Sequence, residues 1–311
     1  MEAGTVSSVS RSSLKEKVPE SVVGLCQKLR TSGNRVWIVG GSLRDLLLGK
    51  QPGDWDMATD ARPEQVRRVF RRVIDTGITH GTVTVLWKGG RYEVTTLRGE
   101  GGYSNGRHPD SVVFIDDLEQ DLARRDFTVN AIAYDPLEER LFDPFGGLRD
   151  IRARVLRAVG DPSSRFGEDG LRVLRAVRFA ATLQFRLEER TLAAIPGALG
   201  RYRGVSHERV RDEWLRLMKA PEPSVGFELM RSSGILGVTC PELLEQVGCE
   251  QNRCHALDVW THTIRCLDLA PADAGLRMAA LFHDLGKPRA KAFSEKTGDF
   301  TFYDHERIGA R

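Results

Sequence analysis

Residues 36–60, VWIVGGSLRDLLLGKQPGDWDMATD, begin with an apolar run of the length and β-branched content typical of a buried strand. Two glycines interrupt the run, and leucines at helical spacing follow, with Ser42 placed to cap the helix. Backbone N–H groups at such a turn would face outward. They suit a polyphosphate, because glycine lets the backbone approach closely and a helix start carries partial positive charge. The turn therefore predicts phosphate binding by Gly40, Gly41 and Ser42, with Arg44 as a further clamp.

Two carboxylates follow the turn within the same stretch. Asp54 and Asp56 are separated only by Trp55. On an extended segment, residues two apart point the same way, so both carboxylates would project to one side, about 6 to 7 Å apart. Such a pair can hold a divalent metal, although an Asp-x-Asp on a loop is usually solvated and a glycine pair is usually only a tight turn. A phosphate turn and a metal-ready carboxylate pair together indicate metal-assisted nucleotidyl transfer.

The two halves of this stretch, GGSLRDLLLG and GDWDMAT, carry a family resemblance. They resemble the first motif of the class II tRNA nucleotidyltransferases (the CCA-adding enzymes) and of their bacterial poly(A) polymerase relatives, in the polymerase β-like nucleotidyltransferase superfamily. The resemblance covers about residues 20–311. It implies an α+β fold, in which a polymerase β-like nucleotidyltransferase head with a mixed or antiparallel sheet precedes an all-helical neck and body and a partial HD domain.

The composition limits the class of protein. The chain has 311 residues, 41% of them apolar and 29% charged, which is long enough for two or more domains. No apolar run approaches the length of a membrane span, and the first residues, MEAGTVSSVSRSS, lack the hydrophobic core of a signal peptide. We therefore expect a cytoplasmic enzyme with no membrane partner.

Cysteine and arginine usage add two further expectations. Five cysteines are scattered at 26, 240, 249, 254 and 266 without a CxxC pair, which argues against a disulfide framework and a zinc knuckle and favours reduced, mostly buried thiols. Only nine of the 46 basic residues are lysines. The excess of arginine fits an RNA partner, although a GC-rich genome produces the same bias.

The rest of the head sequence predicts the elements around the site. Residues 1–17 indicate a disordered tail, residues 18–29 predict a helix, and a second helix begins at Pro63. Residues 82–97 predict two strands joined as a hairpin. Glu93 lies on the second strand and would either pair with an arginine across strands or, as the resemblance implies, act as a third carboxylate beside the aspartates.

Two more stretches match the family. Residues 121–135, DLARRDFTVNAIAYD, resemble its second motif, and DPFGGLRD, residues 143–150, resembles its third. In the second motif, Arg124 and Arg125 would reach the triphosphate. The side chains placed to grip a ribose hydroxyl, at helical spacing of four, are Asp126 and Asn130.

Residues 98–111 contain little apolar material and predict a mobile loop. In CCA-adding enzymes a flexible loop at this place is needed for the final A addition, and it is shortened in relatives that add only C. The full length of the loop here argues against a CC-only enzyme.

Residues 165–179, RFGEDGLRVLRAVRF, predict a helix with a buried stripe that includes Leu171. Asp169 and Arg172, three residues apart, would share another face. Cytosine and adenine both present an exocyclic amino donor beside a ring-nitrogen acceptor, whereas uracil and guanine present a carbonyl beside a ring N–H. A carboxylate with a guanidinium complements the first pattern and mismatches the second. The pair would thus select C and A without a template, because a buried group left unpaired costs about 1 to 3 kcal/mol.

An ordinary surface salt bridge between Asp169 and Arg172 is the alternative that composition alone favours. However, this stretch resembles EDxLRxxR, the nucleotide-selecting motif of the family, with Glu168 on the motif and Gly170 at its variable position. The resemblance implies that the nucleotide-binding side chains here are Asp169, Arg172, Arg175 and Arg178.

The last third of the chain predicts helices and a second metal site. Arginines around a helix start at Ser206 are candidates for contacts to tRNA phosphates, or else form a solvated face: Arg201, Arg203, Arg209 and Arg211. AALFHDLGKP resembles the HD metal-dependent phosphohydrolase superfamily. Its adjacent His283 and Asp284 would ligate a metal together with another histidine such as His262. The final aspartate of that family lies further along than Arg311, so we expect a fragment or an incomplete HD module.

These observations lead to one organisation and one reaction. We expect a tail at 1–17, a nucleotidyltransferase head at 18–150, a base-reading neck at 151–200, a tRNA-binding helical body at 201–250 and an HD-like segment at 251–311. The enzyme would add CMP and AMP from CTP and ATP to the tRNA 3′ end, recognising the acceptor stem and elbow. Asp54 and Asp56 would hold two Mg²⁺ ions, and Glu93 would assist.

Several alternatives stay open. An A-adding specialist that works after a separate CC-adding enzyme has the same motif residues. Poly(A) polymerases tend to carry a basic GRRF-like run where this chain has TGITHGTVTV at 76–85. A tRNA-binding protein without catalysis, or an HD phosphohydrolase, would be a different class of protein; the intact acidic residues argue against the first, and the truncated HD pattern argues against the second.

Overall fold

The computed structural model describes residues 11–99 and 113–311, and the chain divides into two compact units, Met1–Arg165 and Phe166–Arg311. Most of the loop predicted as mobile, from residue 100 to residue 111, lies outside the described residues. Among the helices that are described, none combines the length and the apolar character needed to span a bilayer. The domain boundaries expected within each unit stay predictions.

The first unit contains helices and a mixed sheet. Its helices are α1 Arg11–Lys17, α2 Glu20–Thr31, α3 Gly40–Leu47, α4 Pro63–Val69, α5 Leu118–Ala123 and α6 Gly147–Ala153. Its strands are β1 Val36–Val39, β2 Trp55–Thr59, β3 Val73–Gly77, β4 Thr82–Trp87, β5 Gly90–Thr96, β6 Ala133–Asp135, β7 Arg140–Phe142 and the two-residue β8 Val155–Leu156. Helix α7, Pro162–Glu168, contains the division between the units.

The sheet of the described head has seven strands in the order β3-β4-β5-β2-β1-β6-β7. Every neighbouring pair is antiparallel except β2 and β5, which run parallel. The expectation of a mixed, largely antiparallel sheet is therefore confirmed. The parallel pair is central, and all four residues of β1 beside it are buried, as the apolar run predicted.

The core of the head is packed on both faces of β1. Trp37 and Val39 alternate along the strand and join one cluster with Leu118 and Leu122 of α5. The apolar face of α2 is also buried, and its Leu25 and other core residues are fully enclosed. Burial on both faces explains why β1 is uniformly apolar rather than alternating.

The hairpin predicted at residues 82–97 is confirmed. Trp87 pairs with Gly90, so the turn between β4 and β5 has only two residues, Lys88 and Gly89. Both have positive φ, 45° and 80°, which is the conformation that matches the twist of a two-residue hairpin.

Three local expectations for the head were wrong. Arg11–Lys17 form a helix rather than a disordered tail, since Leu14 is only 1% exposed and thus anchors this segment. Ser42 does not cap α3, because the helix begins at Gly40 and the Ser42 hydroxyl instead donates to the Val39 carbonyl within the first turn. Strand β3 was missed, because its burial does not alternate and it lies at the edge of the sheet.

The second unit is mainly helical. Its helices are α8 Leu171–Leu183, α9 Glu189–Ala193, α10 Ile195–Tyr202, α11 His207–Leu217, α12 Pro223–Ser233, α13 Ile235–Thr239, α14 Val259–Leu269, α15 Ala274–Phe282, α16 Lys287–Ala290 and α17 His305–Gly309. It also contains the two-residue strand β9 Arg186–Leu187 and a hairpin of β10 Ala292–Ser294 and β11 Asp299–Thr301, which the all-helical expectation did not include.

The helix predicted across residues 165–179 is two helices, because the chain breaks at Asp169 and Gly170. The Asp169 carboxylate accepts a hydrogen bond from the backbone N–H of Leu171, at 3.0 Å. A Cβ atom added at Gly170 would lie only 2.7 Å from backbone atoms of Arg201 and Tyr202 in α10. Glycine at this position, variable in the family motif, therefore permits the close approach of α10 in this chain.

Substituting Gly170 by alanine is expected to lower the free energy of unfolding by about 1 to 3 kcal/mol. The added methyl group would overlap backbone atoms of α10, which cannot rotate away as a flexible side chain could. Gly167→Ala in α7 is the matched control, because nothing lies within 4 Å of the added atom. It should be neutral or stabilising by up to about 1 kcal/mol, as alanine is the better helix former. Urea unfolding measures both variants, and an unchanged midpoint for Gly170→Ala would contradict the close packing.

Candidate active site

Asp56 and Glu93 lie side by side in the middle of the head sheet. The parallel strands β2 and β5 pair them directly in register. Paired residues of neighbouring parallel strands project to the same face, so the two carboxylates are neighbours. Asp54 lies in the bend just before β2 and is exposed, as is Glu93, whereas Asp56 is half-buried. The three acidic side chains therefore lie near one another at the start of β2.

The glycine turn contacts this acidic position. A Cβ atom built on Gly40 would lie 3.3 Å from the Asp56 Oδ2 atom and 3.1 Å from the Arg125 Nη1 atom. Gly40 also has a φ of +71°, which disfavours any other residue. Ser42 fixes the register between α3 and β2, because its hydroxyl oxygen accepts the backbone N–H of Asp56 at 3.3 Å. The turn and the carboxylates predicted from residues 36–60 are therefore adjacent.

Arg44 is buried and already bonded. Its guanidinium donates to Asn130 Oδ1 at 2.7 Å and to Asp45 Oδ1 at 2.8 Å. Asn130 in turn donates its amide to Asp126 Oδ1 at 3.0 Å. Asp126 and Asn130 touch each other as expected, but through a turn and a short 3₁₀ segment at Thr128–Asn130 rather than one α-helix. A phosphate clamp by Arg44 would require it to exchange these partners.

Asp121, which the sequence interpretation did not single out, anchors both arginines of the second motif. Its buried carboxylate accepts from Arg124 at 2.7 Å and from Arg125 at 3.3 Å. Although burial opposes ionisation, these two positive charges lower the pKa of Asp121. The signal was present in the sequence, since Asp121 lies three and four residues before the two arginines, which is the spacing of helical ion pairs.

The acidic cluster carries unbalanced negative charge. Burial raises the pKa of Asp56, and the charges of Glu93 and Asp54 raise it further, against the lowering effects of Arg125 and Arg44. Carboxylates that repel one another in this way are stabilised by a bound divalent cation, and hard oxygen donors are the ligands that Mg²⁺ prefers. The residues present therefore fit a divalent metal at this position.

The predicted base-reading side chains Asp169 and Arg172 each bond to another charged group. The Asp169 carboxylate receives both terminal nitrogens of Arg209, at 3.1 and 2.6 Å. Arg172 pairs with Glu168 at 2.5 Å, so the surface salt bridge weighed between Asp169 and Arg172 is replaced by these two pairs. Arg209 was considered only for tRNA phosphates, because its distance of 40 residues from Asp169 leaves no local signal.

Arg175 and Arg178 share one buried carboxylate. Glu213 of α11 is 3% exposed, bonds to Arg178 and lies 3.6 Å from Arg175. Arg178 also stacks over the ring of Phe179, 3.6 Å from its centroid. Arg178 is 8% exposed. Its bond to Glu213 joins α8 to α11 inside the second unit. Direct contact of Arg178 with a nucleotide stays a prediction.

The predicted HD residues converge. His262 on α14 places its Nε2 atom 3.3 Å from the Nε2 atom of His283. Asp284 is 2% exposed, and its Oδ2 atom lies 3.6 Å from His262, 3.1 Å from His283 and 2.8 Å from Lys287 Nζ. The Lys287 ammonium and the His283 imidazole both lie within hydrogen-bond reach of this oxygen. A buried carboxylate that adjoins two imidazoles fits a metal ligand.

Three family models match the chain along its length. They are the poly(A) polymerase head domain at residues 36–157, the probable RNA and SrmB-binding site of polymerase A at 184–246, and the HD domain at 255–311. Together with the seven-stranded sheet and its acidic cluster, they define the class of the protein: a polymerase β-like nucleotidyltransferase head joined to an HD-type segment.

The similar proteins narrow this class. The CCA-adding enzyme of Lactobacillus helveticus is 45% identical over 217 residues, 69% of this chain and 54% of that protein. The CCA-adding enzyme of Listeria monocytogenes is 48% identical over 204 residues, 66% of this chain and 52% of that protein. The chain thus spans about half the length of the curated relatives it matches.

Solved structures that are similar to this chain are also CCA-adding enzymes. The CCA-adding enzyme of Bacillus stearothermophilus in complex with CTP is 40% identical with a TM-score of 0.67, covering 73% of this chain and 55% of that chain. The CCA-adding enzyme of Thermotoga maritima complexed with tRNA is 26% identical with a TM-score of 0.61, covering 76% of this chain and 58% of that chain. The chain is thus similar to CCA-adding enzymes in sequence and fold, and the resemblance of its motifs is confirmed.

Because the acidic cluster is unbalanced without a cation, Asp56→Asn is expected to raise the free energy of unfolding by about 0.5 to 2 kcal/mol in the absence of divalent metal. Millimolar Mg²⁺ should stabilise the wild type by binding the folded state, and it should stabilise Asp56→Asn less. Thermal unfolding with and without Mg²⁺ measures both effects. Asp116→Asn, an exposed aspartate of the head, is the control and should change neither. A destabilised Asp56→Asn would instead indicate a structural carboxylate.

Proposed function

We propose that the chain is a template-independent tRNA nucleotidyltransferase that adds CMP and AMP from CTP and ATP to tRNA 3′ ends. The observation that supports it most is the pairing of Asp56 with Glu93 in register, directly against the Gly40 turn and Arg125. A nucleotidyl-transfer centre needs such an acidic metal site next to a phosphate-binding turn. The relatives named CCA-adding enzymes, including structures with CTP and with tRNA, support the same reaction.

In this proposal, Asp54 and Asp56 hold Mg²⁺ and Glu93 assists. When bound, the metal would activate the terminal tRNA hydroxyl and neutralise the triphosphate and the leaving pyrophosphate. The backbone N–H groups of Gly40 and Gly41 would donate to the triphosphate, because Gly40 lies directly against Asp56 and Arg125. Arg125 lies beside Asp56 and is 19% exposed, so it is the arginine of the second motif best placed to meet phosphate oxygens.

The ribose and base contacts come from the remaining predicted residues. Asp126 and Asn130 are linked to each other and to Arg44, which keeps the amide and carboxylate in one orientation for a ribose hydroxyl. In the second unit, Asp169 and Arg172 would read the base. Arg209 holds the Asp169 carboxylate by two hydrogen bonds, which limits its rotation and thus sharpens selection.

A second proposal concerns the HD segment. We propose that His262, His283 and Asp284 bind a divalent metal, and the support is their convergence: His283 Nε2 lies 3.3 Å from His262 Nε2 and 3.1 Å from the buried Asp284 Oδ2 atom. A phosphohydrolase activity would then accompany nucleotide addition. A cytoplasmic location stays a prediction.

The decisive assay distinguishes the proposed reaction from its alternatives. Purified protein is incubated with tRNA ending in the discriminator base, in CC or in CCA, each with labelled CTP or ATP. Full CCA addition extends the first two substrates and leaves the third unchanged. An A-adding specialist would extend only the CC substrate, a poly(A) polymerase would extend all three with ATP, and a binding protein would extend none.

Asp54→Ala should abolish incorporation of both nucleotides, because the metal site loses a ligand, while tRNA binding stays within about twofold of wild type. Single-turnover incorporation and filter binding measure the two effects. Asp75→Ala, which also removes an exposed aspartate from the head, is the control and should retain activity. If Asp54→Ala loses tRNA binding and its unfolding transition together with activity, the aspartate has a folding role instead.

Arg172→Ala should relax discrimination between CTP or ATP and UTP or GTP, by roughly 10- to 100-fold, because a buried hydrogen-bonding group is worth about 1 to 3 kcal/mol. Arg209→Ala should relax it less, since Arg209 acts by orienting Asp169. The ratios of kcat/KM for the four nucleotides measure selection. Arg186→Ala, an exposed arginine on β9, is the control. Unchanged ratios in Arg172→Ala would refute base reading by this residue.

A further inference from the structure

Cys266 lies within the cluster of HD residues, a position that the spacing of the cysteines did not predict. It follows His262 by four residues on α14, so the two side chains share one face of the helix. Helix α15 packs against α14 and ends directly before His283, which brings the second imidazole to the same position. The sulfur is half-buried. Two separate sequence patterns, HxxxC on α14 and HD after α15, thus meet at one point.

The distances between these atoms match those around a tetrahedral metal. A zinc ion with bonds of about 2.0 to 2.1 Å to nitrogen and about 2.3 Å to sulfur separates neighbouring ligand atoms by roughly 3.3 to 3.6 Å. The Cys266 Sγ atom lies 3.5 Å from His262 Nε2. The two histidine Nε2 atoms are 3.3 Å apart. One ligand atom from each of His262, Cys266 and His283 falls within 4.8 Å of the others.

The orientation of His283 also suits coordination. Its Nδ1 atom lies 2.7 Å from the Ala280 carbonyl oxygen, which can only accept, so Nδ1 carries the hydrogen. In the neutral ring the Nε2 lone pair therefore faces His262 and Asp284. Metal-binding histidines almost always fix their other ring nitrogen on such a carbonyl or carboxylate.

We propose that Cys266 is a metal ligand together with His262, His283 and Asp284, so that the HD segment takes Zn²⁺ or another thiophilic divalent ion rather than Mg²⁺ or Mn²⁺. The inference rests on the proposed metal binding of the HD segment. A thiolate and two imidazoles form a softer donor set than imidazoles and carboxylates alone, and softness selects for zinc and cobalt over magnesium and manganese. The same chain would then hold a hard metal at Asp54 and Asp56 and a soft one at Cys266.

If no metal binds at Asp284, its neighbours have a different role. Lys287 lies 2.8 Å from Asp284 Oδ2, and His305 Nε2 lies 3.5 Å from Asp284 Oδ1. In that arrangement the positive charges of Lys287 and protonated histidines would balance Asp284. Cys266 would then only pack against His262, and its removal would leave any metal binding unchanged.

The test is titration of chelator-treated full-length protein with Co²⁺, followed by competition with Zn²⁺. Coordination by Cys266 produces a thiolate-to-cobalt charge-transfer band in the near ultraviolet and intense visible bands of tetrahedral cobalt. Cys266→Ser should lose the charge-transfer band and weaken Zn²⁺ binding by about tenfold or more. Cys254→Ser, an exposed cysteine of the same segment, is the matched control and should keep the band.

A second measurement uses the unaltered protein. Zn²⁺ should protect Cys266 from alkylation by iodoacetamide, identified by peptide mass, and should leave Cys254 reactive. Mg²⁺ should protect neither. This readout does not depend on whether Cys266→Ser folds.

The outcomes separate the two proposals. If His283→Ala loses cobalt binding while Cys266→Ser keeps the wild-type spectrum and Zn²⁺ affinity, the HD metal site stands and the role of Cys266 is overturned. If the wild type itself gives no tetrahedral cobalt spectrum and no protection, both are overturned. Loss of the band in Cys266→Ser, with weaker binding retained, supports both.

Discussion

The head depends on one parallel strand contact in a sheet that is otherwise antiparallel. The pairing of β2 with β5 brings Asp56 next to Glu93. The contact concentrates negative charge at a half-buried position, which raises the pKa of Asp56 through burial first and repulsion second. Arg125 adjoins the same carboxylate and offsets part of this charge, and in our proposal a bound cation would offset the rest.

Buried carboxylates hold several arginines of this protein in place. Asp121 holds Arg124 and Arg125 in the head, while Glu213 holds Arg175 and Arg178 in the second unit. Buried pairs of this kind contribute little net stability, because desolvation offsets their attraction, but breaking one leaves an uncompensated charge. These ion pairs orient the arginine side chains, because a guanidinium with a bonded partner presents its remaining N–H groups in a defined direction.

Under the two proposals, the chain would carry two metal sites of different hardness. The head offers carboxylate oxygens beside the Gly40 turn, which would suit magnesium and polyphosphate. The HD segment offers two imidazoles, a buried carboxylate and a thiol at tetrahedral separations. Ligand type decides the ion in each case, so one chain can keep two metals apart without competition for either site.

The sequence by itself determined the elements whose signals are local. The apolar run of β1, the Lys88-Gly89 turn and the Pro63 helix start predicted strands, a hairpin and a helix correctly, because periodicity and turn chemistry act over a few residues. Only the tertiary structure decided which side chains meet. The break at Gly170 follows from the backbone of α10, the partner of Asp169 lies 40 residues away at Arg209, and Cys266 meets His283 only because α14 packs on α15. These contacts depend on packing between distant segments, for which a single sequence carries no periodic signal.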